Sequence, residues 1–435
     1  MLDQPEGAMR SMGRMYNLHL TAEQVEFRDT VREFVQNEVK PAALHPSRLE
    51  PFEKPLLANL LDDASRMGLR TLSLSEGAGG AGADTLTACL VLEELAVGDI
   101  DIAMALGVTQ GLAHALFDEA MSDAQRARFL PEFAEDARYH LGLVTTDSDA
   151  HRGWNYHRAD AADANAHPLA TKQTNGEWVL NGDVGFVVNA PIAKLLLVQA
   201  RTDPKKTGRN GVTTLLVPRD AAGVVVGATG QAFSGEGTPA RPFTRWHHGT
   251  GAHVRFENCR IPAANVLGKE HQSPLAARVH DVRADVQIAA INLGLGRAAY
   301  EAAVDYSKIR VQGGRPIVEH QAIGTILADL TIKLELARNQ IWKAAWIADH
   351  PEAVADRSVA DLPLHTVARV YTAEAVNEVA LGAAECFGAM GVMRDMPLQK
   401  YVHDSFIFLN GCGHDSATKL EIAEAVAGFE RQAAA

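Results

Sequence analysis

Apolar residues recur at helical spacing over the first third of the chain. At Leu20-Thr21-Ala22-Glu23-Gln24-Val25, Thr21 is placed to cap a helix, Gln24 completes a capping box and Leu20 can staple onto Val25. Phe27, Val31, Phe34, Val35 and Val39 follow along one face until Pro41 ends the run. Segments 54–67, 84–96, 101–118 and 122–135 extend the pattern around a glycine-rich loop at Glu76–Gly82, so residues 20–140 are expected to be all helical. Near Leu141 the texture changes to short strands. Lys172–Asn181 and Phe186-Val187-Val188-Asn189 read as strands around a hairpin turn at Asn181-Gly182. Leu195–Arg201, Val212–Pro218, Gly223–Val226 and Ala252–Phe256 add β-rich runs separated by turn residues. From about Val279 the helical period returns through Ala284–Arg310, Gln321–Asp349, Leu362–Phe387 and Ser416–Ala433. The expected organisation is an extension at 1–19, a helical domain at 20–140, a β domain at 141–270 and a second helical domain at 271–435.

Composition narrows the function. With 435 residues, 47% hydrophobic and 22% charged, the chain has enough apolar material for a large core and is not mainly disordered. A net charge of −13 argues against nucleic acid, whose binding needs Lys and Arg against phosphates. Small-molecule chemistry is the better expectation. Cys89, Cys259, Cys386 and Cys412 lack CxxC spacing, His247-His248 would point apart in extended chain, and HExxH spacing is absent, so no metal is expected. No stretch approaches the ~18 uninterrupted apolar residues of a membrane span. The first residues lack a secretory apolar centre, and the expected location is cytoplasmic. Gly294-Leu295-Gly296-Arg297-Ala298-Ala299 matches GxGxxA, but the sequence beyond it stays helical, which excludes a dinucleotide βαβ unit and points to close helix packing. Gly77–Gly82 lacks the lysine of a phosphate loop and reads as a turn.

Several segments carry a resemblance. Arg310-Val311-Gln312-Gly313-Gly314-Arg315-Pro316-Ile317-Val318-Glu319-His320-Gln321 is similar to the RxxFGxPIxxxQ segment of the acyl-CoA dehydrogenase family, with Gly313 where an aromatic is usual. Glu385-Cys386-Phe387-Gly388-Ala389-Met390-Gly391, with Asp395-Met396-Pro397 and His403-Asp404, resembles that family's QxxGGxG…PxxRxxRDA signature. Asn181-Gly182, Phe186-Val187-Val188-Asn189 and Ile261–Gly268 resemble its NG…WITN and VPxxNxLG landmarks. The resemblance runs almost end to end. It implies an α+β fold: an N-terminal all-α domain, a central β-barrel or sandwich and a C-terminal four-helix bundle. It also implies FAD, an acyl-CoA substrate and a homotetramer or homodimer, with electron-transfer flavoprotein or oxygen as acceptor. Carried over, Arg310 and Gln312 would reach the FAD diphosphate of a neighbouring subunit, while Val144, Thr145, Phe186 and Val188 would border the ring. Glu385, Gly388 and His414 fall at or beside further cofactor positions.

The catalytic positions depart from the family. Dehydrogenation needs a base for the α-proton. In most members it is a glutamate eight residues after the RDA motif, where this chain has Cys412; in the isovaleryl-type branch it sits on the helix before the RxxFG arginine, where this chain has Ala284. Asp285, one residue on, is the first candidate base, offset by about 100° on a helix. Cys412, followed by His414 and Asp415, is the second, since a thiolate can act as base or nucleophile. Val188 replaces a Thr or Ser, Phe186 a Trp, and Glu385 a Gln. Two rival expectations remain: other flavin chemistry on this scaffold, such as desulfination or monooxygenation, or a catalytically silent partner subunit.

Overall fold

A computed structural model describes residues 19–48, 56–145, 168–203, 205–206, 211–227, 250–273, 282–350, 362–411 and 416–428. The N-terminal helices are α1 (Ala22–Phe34), running through a π-helical stretch into α2 (Lys40–Ala43), then α3 (Ala58–Arg66), α4 (Thr85–Gly98), α5 (Ile100–Ala113) and α6 (Asp123–Glu135). Thr21 and Gln24 form the expected capping box, and Ser122 with Gln125 forms another on α6. α4 is buried all round and α5 nearly so, which fits their apolar residues on every face. From α5 a π-helical stretch, His114–Ala120, follows directly. The span Ile100–Ala120 is long and apolar enough to cross a membrane by length and composition alone, and most of it lies inside the protein.

The strands are β1 (His140–Val144), β2 (Leu169–Lys172), β3 (Trp178–Val188), β4 (Ala193–Arg201), β5 (Val212–Pro218), β6 (Val224–Val226), β7 (Gly251–Ile261) and β8 (Val266–Leu267). They form one sheet in the order β6-β7-β3-β2-β4-β5-β8, with β1 pairing parallel to β4. The Asn181-Gly182 turn is corrected. β3 runs through it, and the β2–β3 hairpin turns earlier, at Gln173–Glu177, where Gly176 takes φ 86°. Asn181 and Gly182 instead mark a register shift against β7, where Asn181 Oδ1 accepts the Asn258 N–H at 2.7 Å.

The C-terminal helices are α7 (Val282–Ile309), α8 (Gln321–Asp349), α9 (Leu364–Phe387), α10 (Leu398–Gly411) and α11 (Ser416–Ala427); a ribbon of β9 (Val311–Gln312) and β10 (Arg315–Pro316) joins α7 to α8. α10 is an element that the apolar period does not reveal. One core joins α4, α5, α7, α8 and α9 through residues such as Leu92, Leu106, Ile291, Leu334 and Val376. Within it, Arg297 of α7 reaches Glu93 at 2.8 Å and also pairs with Glu94, while Arg32 and Arg338 bind the same two carboxylates. Burial alone would push the Glu94 carboxyl up, but hydrogen bonds from Arg297 and Arg32 outweigh it and hold it below the usual range. Gly294 and Gly296 serve close packing, as expected. A Cβ at Gly294 would fall on the Glu93 carbonyl oxygen, and one at Gly296 would stand 2.8 Å from Val376 Cγ2. A second core lies within the sheet around Trp178, Leu215 and Phe256. A third stitches Phe117 and Phe133 onto Leu141, Leu195 and Leu197, fixing the helical part on the sheet.

Candidate functional site

Where that junction meets α7, the structure holds a cavity of about 660 Å³. Its sheet wall is Leu143, Thr145 and Val188; its helical wall is Gly107, Val108, Gly111 and Leu112 of α5 with Ala284, Gln287 and Ile288 of α7. Alternation along β1 sorts the expected ring neighbours. Thr145 and Val188 line the cavity, whereas Val144 is fully buried in the sheet core and Leu143, which the sequence reading missed, takes its place. Phe186 lies in β3, with its side chain outside the described residues.

The first candidate base is placed elsewhere. Ala284 faces the cavity, and Asp285, rotated one helical position, is 2% exposed and accepts from Arg369 Nη1 of α9 at 2.6 Å. Asp285 therefore ties α7 to α9 and is not among the residues that line the cavity. The geometry gives it a packing role rather than that of a base. Cys412 and His414 lie outside the described residues, as does His247-His248.

Polar groups that the sequence reading did not single out gather on the cavity. His114 Nδ1 stands 3.0 Å from Asp118 Oδ2, and its Nε2 contacts the Arg283 guanidinium. Asp118 also accepts from Ser75 N and Oγ, at 3.1 and 2.5 Å. On the other side Arg283 approaches Asp349 at 3.4 Å, and Asp349 accepts from Thr85 N and Oγ1, both at 2.7 Å. Burial is the largest influence on Asp349 and raises its pKa despite the Thr85 bonds and the Arg283 charge. These residues come from five elements widely separated in sequence, so no local motif announces them. The only early sign is a polar cluster, His114–Glu119, at the end of an otherwise apolar helix.

Arg310 and Gln312 are exposed on the ribbon, which turns at Gly313 (φ 63°) and Gly314 (φ 85°), and do not line the cavity of their own chain. Glu385 is also exposed, and Gly388 follows the end of α9 with φ 55°. At the second signature, Asp404 is wholly buried and accepts Lys400 Nζ at 2.8 Å, one turn away; the charges of Asp404 and Asp99 overcome burial and keep Lys400 charged.

A flat ring beside an apolar strand edge fits the Leu143, Thr145 and Val188 wall, and the buried Ser73 hydroxyl on the cavity has no hydrogen-bond partner among the described residues. Comparisons with known proteins agree with this. Profiles of the acyl-CoA dehydrogenase N-terminal, middle and C-terminal domains match residues 21–137, 157–244 and 283–427. An acyl-CoA dehydrogenase of Bacillus subtilis (strain 168) is 28% identical over 388 residues, covering 89% of this chain and 93% of its own. The butyryl-CoA dehydrogenase structure from Megasphaera elsdenii gives a TM-score of 0.79 at 24% identity, covering 94% of this chain and 100% of that one. An FAD complex of PigA gives 0.77 at 20% identity, covering 94% and 99%.

Proposed function

The chain belongs to the acyl-CoA dehydrogenase family, whose cofactor is FAD, and on that premise we propose that it oxidises an acyl-CoA thioester in the cavity between sheet and helices. The observation that carries this reading is the cavity itself, lined by Leu143, Thr145 and Val188 on one side and by α5 and α7 on the other. When bound, the flavin supplies a two-electron acceptor for hydride from the acyl β-carbon. The protein's part would be to seat the ring on the sheet wall, hold the acyl group against the ring on the helical side, exclude water and provide an acceptor for the α-proton.

The placement of Ala284 and Asp285 favours a second reading beside the first. With a methyl group at the α7 position facing the cavity and Asp285 held by Arg369, α7 supplies no base, which suits flavin chemistry without α-proton removal or a silent partner subunit. Anaerobic titration of the purified protein with a panel of acyl-CoAs separates these. Bleaching of the flavin absorbance by one of them supports dehydrogenation. Bound flavin unreduced by every acyl-CoA favours the other chemistries, and copurification of a homologous chain favours the silent subunit.

We further infer a homo-oligomer, a tetramer or dimer, in the cytoplasm, with electron-transfer flavoprotein or oxygen as acceptor. The exposed ribbon bearing Arg310 and Gln312, with exposed Ile309 and Val311, supports burial against another copy, as do exposed Ile332 and Leu336 on α8.

A further inference from the structure

We propose that Asn189 is a positioning residue whose amide fixes the spacing between the helical and sheet walls of the cavity, and with it the fit of the FAD that the family binds. Asn189 directly follows cavity-lining Val188 at the end of β3, is wholly buried and has φ 65°, a left-handed conformation that asparagine tolerates better than other side chains. That turn sends its side chain to the helices. Nδ2 lies 2.9 Å from Ala105 O and 3.3 Å from Thr109 Oγ1 of α5, and 3.2 Å from Leu141 O of β1. Two of these partners are carbonyl oxygens, which only accept, so the amide nitrogen must occupy this point.

The tie is local to the site. Gly107 and Val108, between Ala105 and Thr109, line the cavity, as do Leu143 and Thr145 a few residues beyond Leu141. One amide therefore joins three wall segments close to their lining positions. Thr109 reinforces the junction: its hydroxyl donates to Ala105 O at 2.9 Å and accepts from Leu141 N at 3.4 Å. The backbone of Asn189 is held separately, by its N–H to Thr250 O and by its carbonyl, which accepts from Ile192 N at 3.0 Å and Ala193 N at 2.7 Å. A change of side chain can thus shift the walls while leaving the turn intact. Small shifts matter here, since ~1 Å of misplacement costs about 10²-fold where geometry governs a site.

Two variants of the full chain test this. Asn189→Gly keeps the positive φ and removes the amide. Asn189→Asp keeps the shape but turns a carboxylate toward two carbonyl oxygens. FAD affinity, from flavin fluorescence, and the visible circular dichroism of bound flavin are measured below each variant's melting temperature. Asn189→Gly should weaken FAD by about tenfold or more, the net worth of at least one hydrogen bond, and change the flavin spectrum. Asn189→Asp should bind weakly at neutral pH and regain affinity as the pH falls, because the protonated carboxyl can again donate to a carbonyl. If Asn189→Gly binds FAD as wild type does and only melts earlier, Asn189 merely supports the fold and the proposal fails. If Asn189→Gly does not fold, the pH response of Asn189→Asp decides: wild-type affinity at neutral pH, or weak affinity with no recovery in acid, overturns the proposal.

Discussion

His140 begins β1 under the Asn189 junction, almost fully buried, with Nδ1 3.2 Å from Thr109 Oγ1. Burial, helped by the charge of Arg70, lowers its pKa from 6.5 to about 4. Below pH 6.5 the unfolded chain takes up a proton that the folded chain refuses, so stability should fall as pH drops from 6.5 towards 4, by up to about 3 kcal/mol. His140→Gln should flatten that slope in denaturation curves across the window; an unchanged slope would assign the loss to other groups. A second prediction concerns Asp285. Asp285→Asn should weaken the tie between α7 and Arg369 of α9 and cost about 1.5–3 kcal/mol in denaturant titration, the worth of a hydrogen bond to a charged group, while protein that folds keeps its flavin. Loss of flavin reduction without loss of stability would instead return Asp285 to the role of base. At this scale the sequence shows residue types and spacing but not direction. It placed Val188 beside the ring and the alternative base position at Ala284, and both line the cavity, yet a one-residue rotation separates Ala284 from Asp285, and alternation separates Leu143 from Val144.

Among the elements, long helices with an apolar stripe were legible almost to the residue, as at Gln321–Asp349 for α8. α10 was not, because its buried face includes Lys400 and Asp404, a charged pair that interrupts the apolar period although it is satisfied internally. The β2–β3 turn was misplaced because Asn175-Gly176 and Asn181-Gly182 carry the same dipeptide signal, and only pairing with β7 shows which one bends the chain. The glycines of α7 give a test with a diagnostic sign. In an exposed helix Gly→Ala stabilises by about 1 kcal/mol. Gly294→Ala should instead destabilise, by about 1–3 kcal/mol, because the new methyl meets the backbone of α4 at Glu93, which cannot rotate away. Chemical denaturation measures this, and a stabilised variant would show that the α4–α7 contact can loosen.

On the scale of the whole molecule, the order of helices, strands and helices follows from the changes of period along the chain, whereas the cavity belongs to no single segment. Its polar groups sit on α4, the π-helical stretch, α7, the end of α8 and the loop at Ser75, brought together by the helical core and by the core that joins helices to sheet. Several expected site residues lie outside that convergence, Arg310 among them. Arg310 stands on an exposed ribbon, so within its own protomer it supports almost nothing, and Arg310→Ala should leave the melting of the flavin-free protein within about 0.5 kcal/mol of wild type. If the ribbon completes the FAD site of a neighbouring copy, the same substitution removes a guanidinium from a diphosphate partly shielded from water, at about 2–5 kcal/mol. FAD affinity should then fall about 30-fold or more, and light scattering of wild type should give a multiple of 46.8 kDa. A stable 46.8 kDa monomer that retains flavin in both wild type and variant would place the whole cofactor site within one chain and leave the exposed ribbon without this role.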